Sequence, residues 1–515
     1  MKKFSLLLVA IISLSSFLFV FAEDDITVTL DQEQINFDTN PIIVEGRTLV
    51  PVANVFRALD MTVSWDGLTK QVTASKEGLE IRLKIDSTQA FVNDNELTLD
   101  VPAAIKDGRT MVPLRFAYES TGATVDWDEN TRTVSISSHI DEIAQNEIMY
   151  PIVDTGVTKL FTDLKVVSSL SSGDDYYGQD AHYTGNEPAY QDNDDGTVTD
   201  LVTDLMWQQT MDEKMTYDEA MTYANECRLG GYDDWRIPSI KELFSLIQYT
   251  GESGGETAKV LFIDTDYFNQ PLGNTSIGER EIDAQVWSST HYVGETMKGD
   301  EAIFGVNFID GRIKGYGAVN PKTRTDNEMY FRLVRGNQAY GENLFVDNYD
   351  GTLTDAATGL MWQMADDGET RDWEEALDYA ENLALAGYSD WRLPNAKELQ
   401  SIVDYSKSMQ TTPSPAIDDL FVLTPITDPN GDMNYGFYWT STTHQDGMNT
   451  ASSAVYVAFG EAQGEMKNDV VDVHGAGAVR SDPKSGDESS YPQYFGPQGD
   501  IRYVYNFVLA VRDAK

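Results

Sequence analysis

The chain has 515 residues, 41% of them hydrophobic, and sets 37 Lys and Arg against 84 Asp and Glu for a formal charge of -47. Such a charge repels nucleic acid, anionic lipid and other polyanions over a Debye length, so those partner classes are disfavoured. A single cysteine, Cys227, excludes an intramolecular disulfide, and the length allows about three hydrophobic cores.

Lys2 and Lys3 precede an apolar run from Leu6 to Phe21 that ends before Glu23-Asp24-Asp25. This pattern reads as a secretory signal over residues 1–22, cleaved after Ala22, with an uncleaved anchor as the alternative. No later stretch is apolar enough to span a bilayer, so an exported protein with no membrane span after cleavage is expected.

Residues 23–138 contain an internal echo. Gly46-Arg47-Thr48-Leu49-Val50-Pro51 returns as Gly108-Arg109-Thr110-Met111-Val112-Pro113, and Val63-Ser64-Trp65-Asp66 as Val125-Asp126-Trp127-Asp128. A short amphipathic segment follows each Val-Pro, and alternating runs such as Thr131 to Ile136 suit half-buried strands. The expectation is a small domain of duplicated strand-helix-strand units. These motifs resemble the copper amine oxidase-like N-terminal domain found at the front of many exported bacterial proteins. Copper is not expected, because the stretch holds no histidine, the ligand copper favours. A stalk or spacer is what the resemblance implies.

After a linker at 139–149, a much longer duplication begins, with modules expected at 150–337 and 338–515. DNDDGTVTD at Asp192–Asp200 returns as DNYDGTLTD at Asp347–Asp355. Leu205-Met206-Trp207-Gln208 returns as Leu360-Met361-Trp362-Gln363, and Asp234-Trp235-Arg236-Ile237-Pro238 as Asp390-Trp391-Arg392-Leu393-Pro394. Trp287-Ser288-Ser289-Thr290-His291 is answered by Trp439-Thr440-Ser441-Thr442-Thr443-His444, and Phe331 to Arg335 by Val508 to Arg512. Units this long are duplicated domains rather than solenoid repeats. Helical spacing predicts one helix over Thr216–Cys227 and another over Trp373–Leu385. Ser239 and Asn395 are placed to cap a second helix in each module.

The ordered set of motifs, with Gly178-Gln179-Asp180-Ala181 ahead of them, resembles the family of unknown function numbered 1566, named for the C-terminal domain of a Legionella collagen-like adhesin. The resemblance implies a C-type-lectin-like fold, in which a helix pair and a twisted sheet carry long loops. The fold class expected is therefore α+β: the small N-terminal domain plus two lectin-like modules. Sulfated polyanions, associated with that adhesin, do not suit a chain of this charge.

Candidate site residues follow from loop chemistry. Tyr176, Tyr177, Tyr292 and Tyr435, with His291 and His444 after the Trp-(Ser/Thr)-Ser-Thr blocks, are the ligand-binding candidates. Asp192, Asp194, Asp195, Asp200, Asp347, Asp350 and Asp355 have the carboxylate density of a calcium loop but not EF-hand spacing; Asp195-Gly196 and Asp350-Gly351 equally suit β-turns. Trp207, Trp235, Trp287, Trp362, Trp391 and Trp439 are open to either a sugar platform or a core role. Glu187-Pro188 and Asp428-Pro429-Asn430 look like fragments of a lectin sugar loop, without its companion Trp-Asn-Asp strand. Gly251-Glu252-Ser253-Gly254-Gly255 fits a nucleophile-elbow pattern but lacks strand-turn-helix context. The expectation is a non-enzymatic, adhesin-like surface protein that binds an extracellular glycan or surface protein through two modules. A structural wall-layer protein is the second reading and a hydrolase the third.

Overall fold

The computed structural model describes residues 26–137, with short gaps, and 148–514 apart from residues 212, 256, 298, 321–322 and 497. The expected signal segment and most of the linker lie outside the described residues. The chain forms two compact units that divide between Asp141 and Glu142. Among the described residues no helix is long and apolar enough to cross a membrane.

In the first unit the two Gly-Arg-Thr signatures become equivalent strands that pair with each other. Arg47–Pro51 and Arg109–Pro113 run antiparallel with Val50 opposite Val112, and each leads straight into a helix, Val52–Ala58 and Leu114–Glu119. Val50, Val112, Val55, Phe56 and Ala117 are fully buried. Proline at the strand end explains the abrupt change of direction, since its fixed φ suits entry to a helix and its missing N–H costs no ladder bond there. Thr27–Leu30 pairs in parallel with Thr133–Ser137, joining the beginning of the unit to its end.

In the second unit strand predominates over helix. Each repeat opens with a meander: Tyr190–Asp192, Thr197–Asp200 and Leu205–Gln208 closed by Val334–Gly336, and Phe345–Asp347, Thr352–Asp355 and Leu360–Gln363 closed by Val511–Asp513. The helices are shorter than their sequence spacing suggested. Tyr217–Glu226 and Trp373–Glu381 start from capping boxes at Thr216 and Asp372, and Ile240–Ser245 and Ala396–Ser401 start from the expected caps, Ser239 and Asn395.

The two repeats are not separate bodies. Ile313 pairs with Val479, so Val286–Thr296, Asp300–Asn307 and Arg312–Gly317 of the first repeat and Val479–Pro483, Ser453–Ala458 and Phe437–His444 of the second form one sheet, with Tyr330–Phe331 at its edge. One hydrophobic core, holding both Trp207 and Trp362, spans the two repeats. Each repeat adds a core of its own, around Trp235 and Trp287 in one and Trp373, Trp391 and Trp439 in the other. The six candidate tryptophans are all buried, which settles them as packing residues.

The leading segments are exchanged. Residues preceding the first meander leave at Val153, bridge back at Asn186, and in between lie along the second repeat: Tyr176 packs on Trp373, and Lys484 donates to the Thr162 carbonyl. Equivalent lysines secure the exchange. Lys241 donates to the Gly341 carbonyl and Asn343 Oδ1, whereas Lys397 donates to the Asp154 and Ser245 carbonyls, all at 2.8–2.9 Å. Burial pulls the Lys397 ammonium down to about 7.

Candidate ligand-binding surface

The acidic loops are hairpin turns held largely by the side chains of their own motif residues. Asn193 Nδ2 donates to both Thr197 Oγ1 and Thr199 Oγ1 at 2.9 Å, and Asn348 holds Thr352 and Thr354 at the same distances. Asp195 Oδ1 accepts from the Thr197 amide and hydroxyl, as Asp350 does from Thr352. Asp192 and Asp347 accept from the amides of Asp194 and Tyr349, residues at positive φ, and the side chains of Asp200 and Asp355 accept from the amides of the turn that follows. These carboxylates, with exposed Asp194, are spread along the hairpin. Among the described residues no group of three or more His, Cys, Asp or Glu is placed to hold a metal ion. The hydrogen bonds make Asp192, Asp195, Asp200, Asp347, Asp350 and Asp355 the framework of two turns, because Asx side chains bond their own backbone where a chain reverses.

Three other candidates are corrected by burial. Tyr176 lies against Trp373 in the core of the second repeat, and Tyr292 is buried with its hydroxyl donating to Asp472 Oδ2 at 2.7 Å. His444 is also buried. Its Nε2 donates to the Asp310 carbonyl and its Nδ1 accepts from Ser481 Oγ, both at 2.8 Å, and burial depresses its pKa to about 4. A carbonyl can only accept, so Nε2 carries the proton. Nor are the two histidines equivalent: Thr290 and Thr442 each accept from a helix amide, of Ile240 and Ala396, which aligns His291 with Thr443 and Tyr292 with His444. His291 remains exposed, edge-on to Tyr217, while Tyr177 stacks obliquely on His182 and Tyr435 is half-buried. Ser253 is buried and donates to Asp446, which also takes Arg312 at 2.6 Å. These groups tie the two repeats together.

The feature displayed by both repeats was not among the sequence candidates. After Leu229, Gly230 and Gly231 have φ of 61° and 84°; after Leu385, Ala386 and Gly387 have 55° and 81°. Two successive positive-φ residues turn the chain tightly, and the Leu229 and Leu385 carbonyls accept from the amides of Tyr232 and Tyr388. The same carbonyls accept from the Trp235 and Trp391 indoles, which anchor the turn to the core.

The turn presents Tyr232 and Tyr388, 37% and 39% exposed. Arg335 and Arg512 lie 3.8 Å from the respective ring centroids. Arg335 is forked onto Asp234 at 2.6 and 3.1 Å, and Arg512 onto Asp390 at 2.8 and 3.0 Å, which holds both carboxyls below their usual range. The sulfurs of Met206 and Met361 accept one further guanidinium N–H, from Nη1, at 3.7 Å, which leaves two of the five N–H groups without a protein partner among those contacts. Each platform therefore offers an aromatic ring fixed from one side by a cation, beside a carboxylate. The signal for it was the recurrence of Gly-Tyr-x-Asp-Trp together with the closing arginines, residues that meet only when the last strand pairs with Leu205–Gln208 or Leu360–Gln363.

No curated protein matches the chain. The copper amine oxidase N-terminal domain matches residues 29–136, and the Lcl C-terminal domain matches 196–335 and 351–479, more than half of the chain. The protein belongs to the Lcl C-terminal domain family, carrying two copies of that domain behind a copper amine oxidase N-terminal domain.

Proposed function

We propose that this is an exported, surface-associated, non-enzymatic binding protein of adhesin type, whose two repeats present Tyr232 and Tyr388 to an extracellular glycan. The observation that carries the reading is the duplicated Tyr-Arg-Asp platform. An aromatic face gains by contact with the C–H face of a sugar ring, and a fixed guanidinium and carboxylate supply donors and acceptors for hydroxyls. Because Arg335 and Arg512 are already oriented by their aspartates, little side-chain entropy is lost on binding. Two weak platforms on one body act together through effective concentration. The short helices and twisted sheet carrying irregular loops support a C-type-lectin-like fold, and the first unit serves as a spacer.

A glycan array probed with the full chain, with calcium and with chelator, tests the reading. Selective binding is expected, weaker in Tyr232→Ala or Tyr388→Ala and reduced to background in the double variant. A blank array, or a double variant that binds like the parent, would sink it.

A further inference from the structure

The excursion that the first leader makes over the second repeat, between Val153 and Asn186, has no equivalent in the shorter leader held by Lys241 on the first. In the second repeat Thr442 Oγ1 and Thr155 Oγ1 donate to Asp180 Oδ2 at 2.6 and 2.8 Å, the Tyr183 ring lies 5.3 Å from the Arg392 guanidinium, and the Tyr183 hydroxyl donates to Glu381. In the first repeat the connection from Gly336 to Phe345 is too short to make such an excursion, and a cleft of about 630 Å³ lies where it would run.

The cleft walls repeat the occupied site residue by residue. Arg236 is forked onto Glu242 at 2.6 and 2.5 Å as Arg392 is onto Glu398, and Ser289 donates its amide to the Pro238 carbonyl as Ser441 does to that of Pro394. Thr290 accepts from the Ile240 amide at 3.0 Å, as Thr442 does from that of Ala396. Exposure separates the two sites. The Arg236 side chain is 31% accessible against 13% for Arg392, and Ser289 is exposed where Ser441 is buried. Arg236, Ser289 and Thr290 all line the cleft.

We propose that this cleft is a docking site for a short peptide segment of a partner protein, one that presents a carboxylate to Thr290 and, three residues later, an aromatic ring to Arg236 from a single tight turn, as the 3-10 turn Asp180–His182 does on the second repeat. The occupant is identified by chemistry already displayed once in this chain: Asp180 and Tyr183 are bound by the equivalents of those two residues. The site is separate from the tyrosine platforms and does not depend on the glycan reading.

The probe is a labelled synthetic peptide with the sequence of residues 177–185, titrated into the full chain and followed by fluorescence anisotropy. Saturable binding is expected, about tenfold or more weaker for peptides carrying Asp180→Asn or Tyr183→Ala, since each loses a charged or ring contact. Ser289→Phe, which fills the cleft from an exposed position, should abolish binding, and Thr290→Val should weaken it. The Tyr232→Ala/Tyr388→Ala variant should bind the peptide like the parent. No saturable binding at millimolar peptide overturns the proposal. So does binding indifferent to both Ser289→Phe and Thr290→Val, which would mean that the peptide displaces the leader on the second repeat.

Discussion

Tyr292 and His444 hold the same position in the two repeats, two residues beyond Thr290 and Thr442, and each reaches across the seam: Tyr292 to Asp472 of the second repeat, His444 to the Asp310 carbonyl of the first. With the Ile313–Val479 pairing and the exchanged leaders, this makes each repeat part of the other's interior. Fragments 150–337 and 338–515 expressed apart are therefore expected to be unfolded or aggregated, because each exposes half of a shared core. The intact chain should lose the fluorescence of both repeats in one denaturation step. Two separately folded fragments with sharp transitions would contradict the shared core.

Ile313→Ala is expected to cost about 2–5 kcal/mol, the range for removing a large aliphatic side chain from a fully buried site. Urea midpoints measure it. A loss below about 1 kcal/mol would show that the seam is loosely packed.

Buried carboxyls give stability an unusual dependence on pH. Burial raises Asp180, Asp472 and Asp482 to about 7. Between about 4 and 7 each is protonated in the folded chain but ionised in the unfolded one, so the folded state binds more protons and these groups add stability as pH falls through that window. His444 and His474, depressed to about 4 and about 3, act oppositely: below about 6.5 they take protons only on unfolding, which withdraws stability. Asp180→Asn isolates one contribution. The parent should gain on the variant as pH is lowered from 7.5 to 5, measured by urea midpoints, and a difference that does not change with pH would refute the assignment.

Arg335→Lys and Arg512→Lys keep the charge but lose the fork onto Asp234 or Asp390 and the planar contact with the tyrosine ring. Each should cost about 1 kcal/mol at these partly exposed positions and let the aspartate pKa climb back towards its ordinary value. Carboxyl NMR titration reads the shift directly. An Asp234 pKa unchanged in Arg335→Lys would show that the pair is not maintained in solution.

Trp235→Phe and Trp391→Phe remove the indole donor that holds the Leu229 or Leu385 carbonyl. A loss of about 1–2 kcal/mol is expected, with faster hydrogen exchange at the Tyr232 or Tyr388 amide as the turn loosens. Unchanged exchange there would mean that the paired positive-φ residues hold the turn without help from the indole.

Local patterns were legible in the chain itself. Asp-Gly turns, Val-Pro strand ends, the Ser239 and Asn395 caps and the duplication all depend on residues a few positions apart, whose steric and hydrogen-bonding preferences act before any tertiary contact forms. The order of motifs also carried the family. What the sequence left open was which side chains face outward. Tyr176, Tyr292 and His444 have polar neighbours in sequence yet are buried, Tyr292 and His444 in strands of the shared sheet and Tyr176 against Trp373. Tyr232 and Arg335 are about a hundred positions apart and become one platform only through pairing of the closing strand. The sequence by itself determined the order of the motifs, the turns and the repeat, since those follow from local stereochemistry; only the tertiary structure decided that the repeats are fused into one unit and that one cleft is filled while its twin stands open, since burial and long-range pairing depend on the whole chain at once.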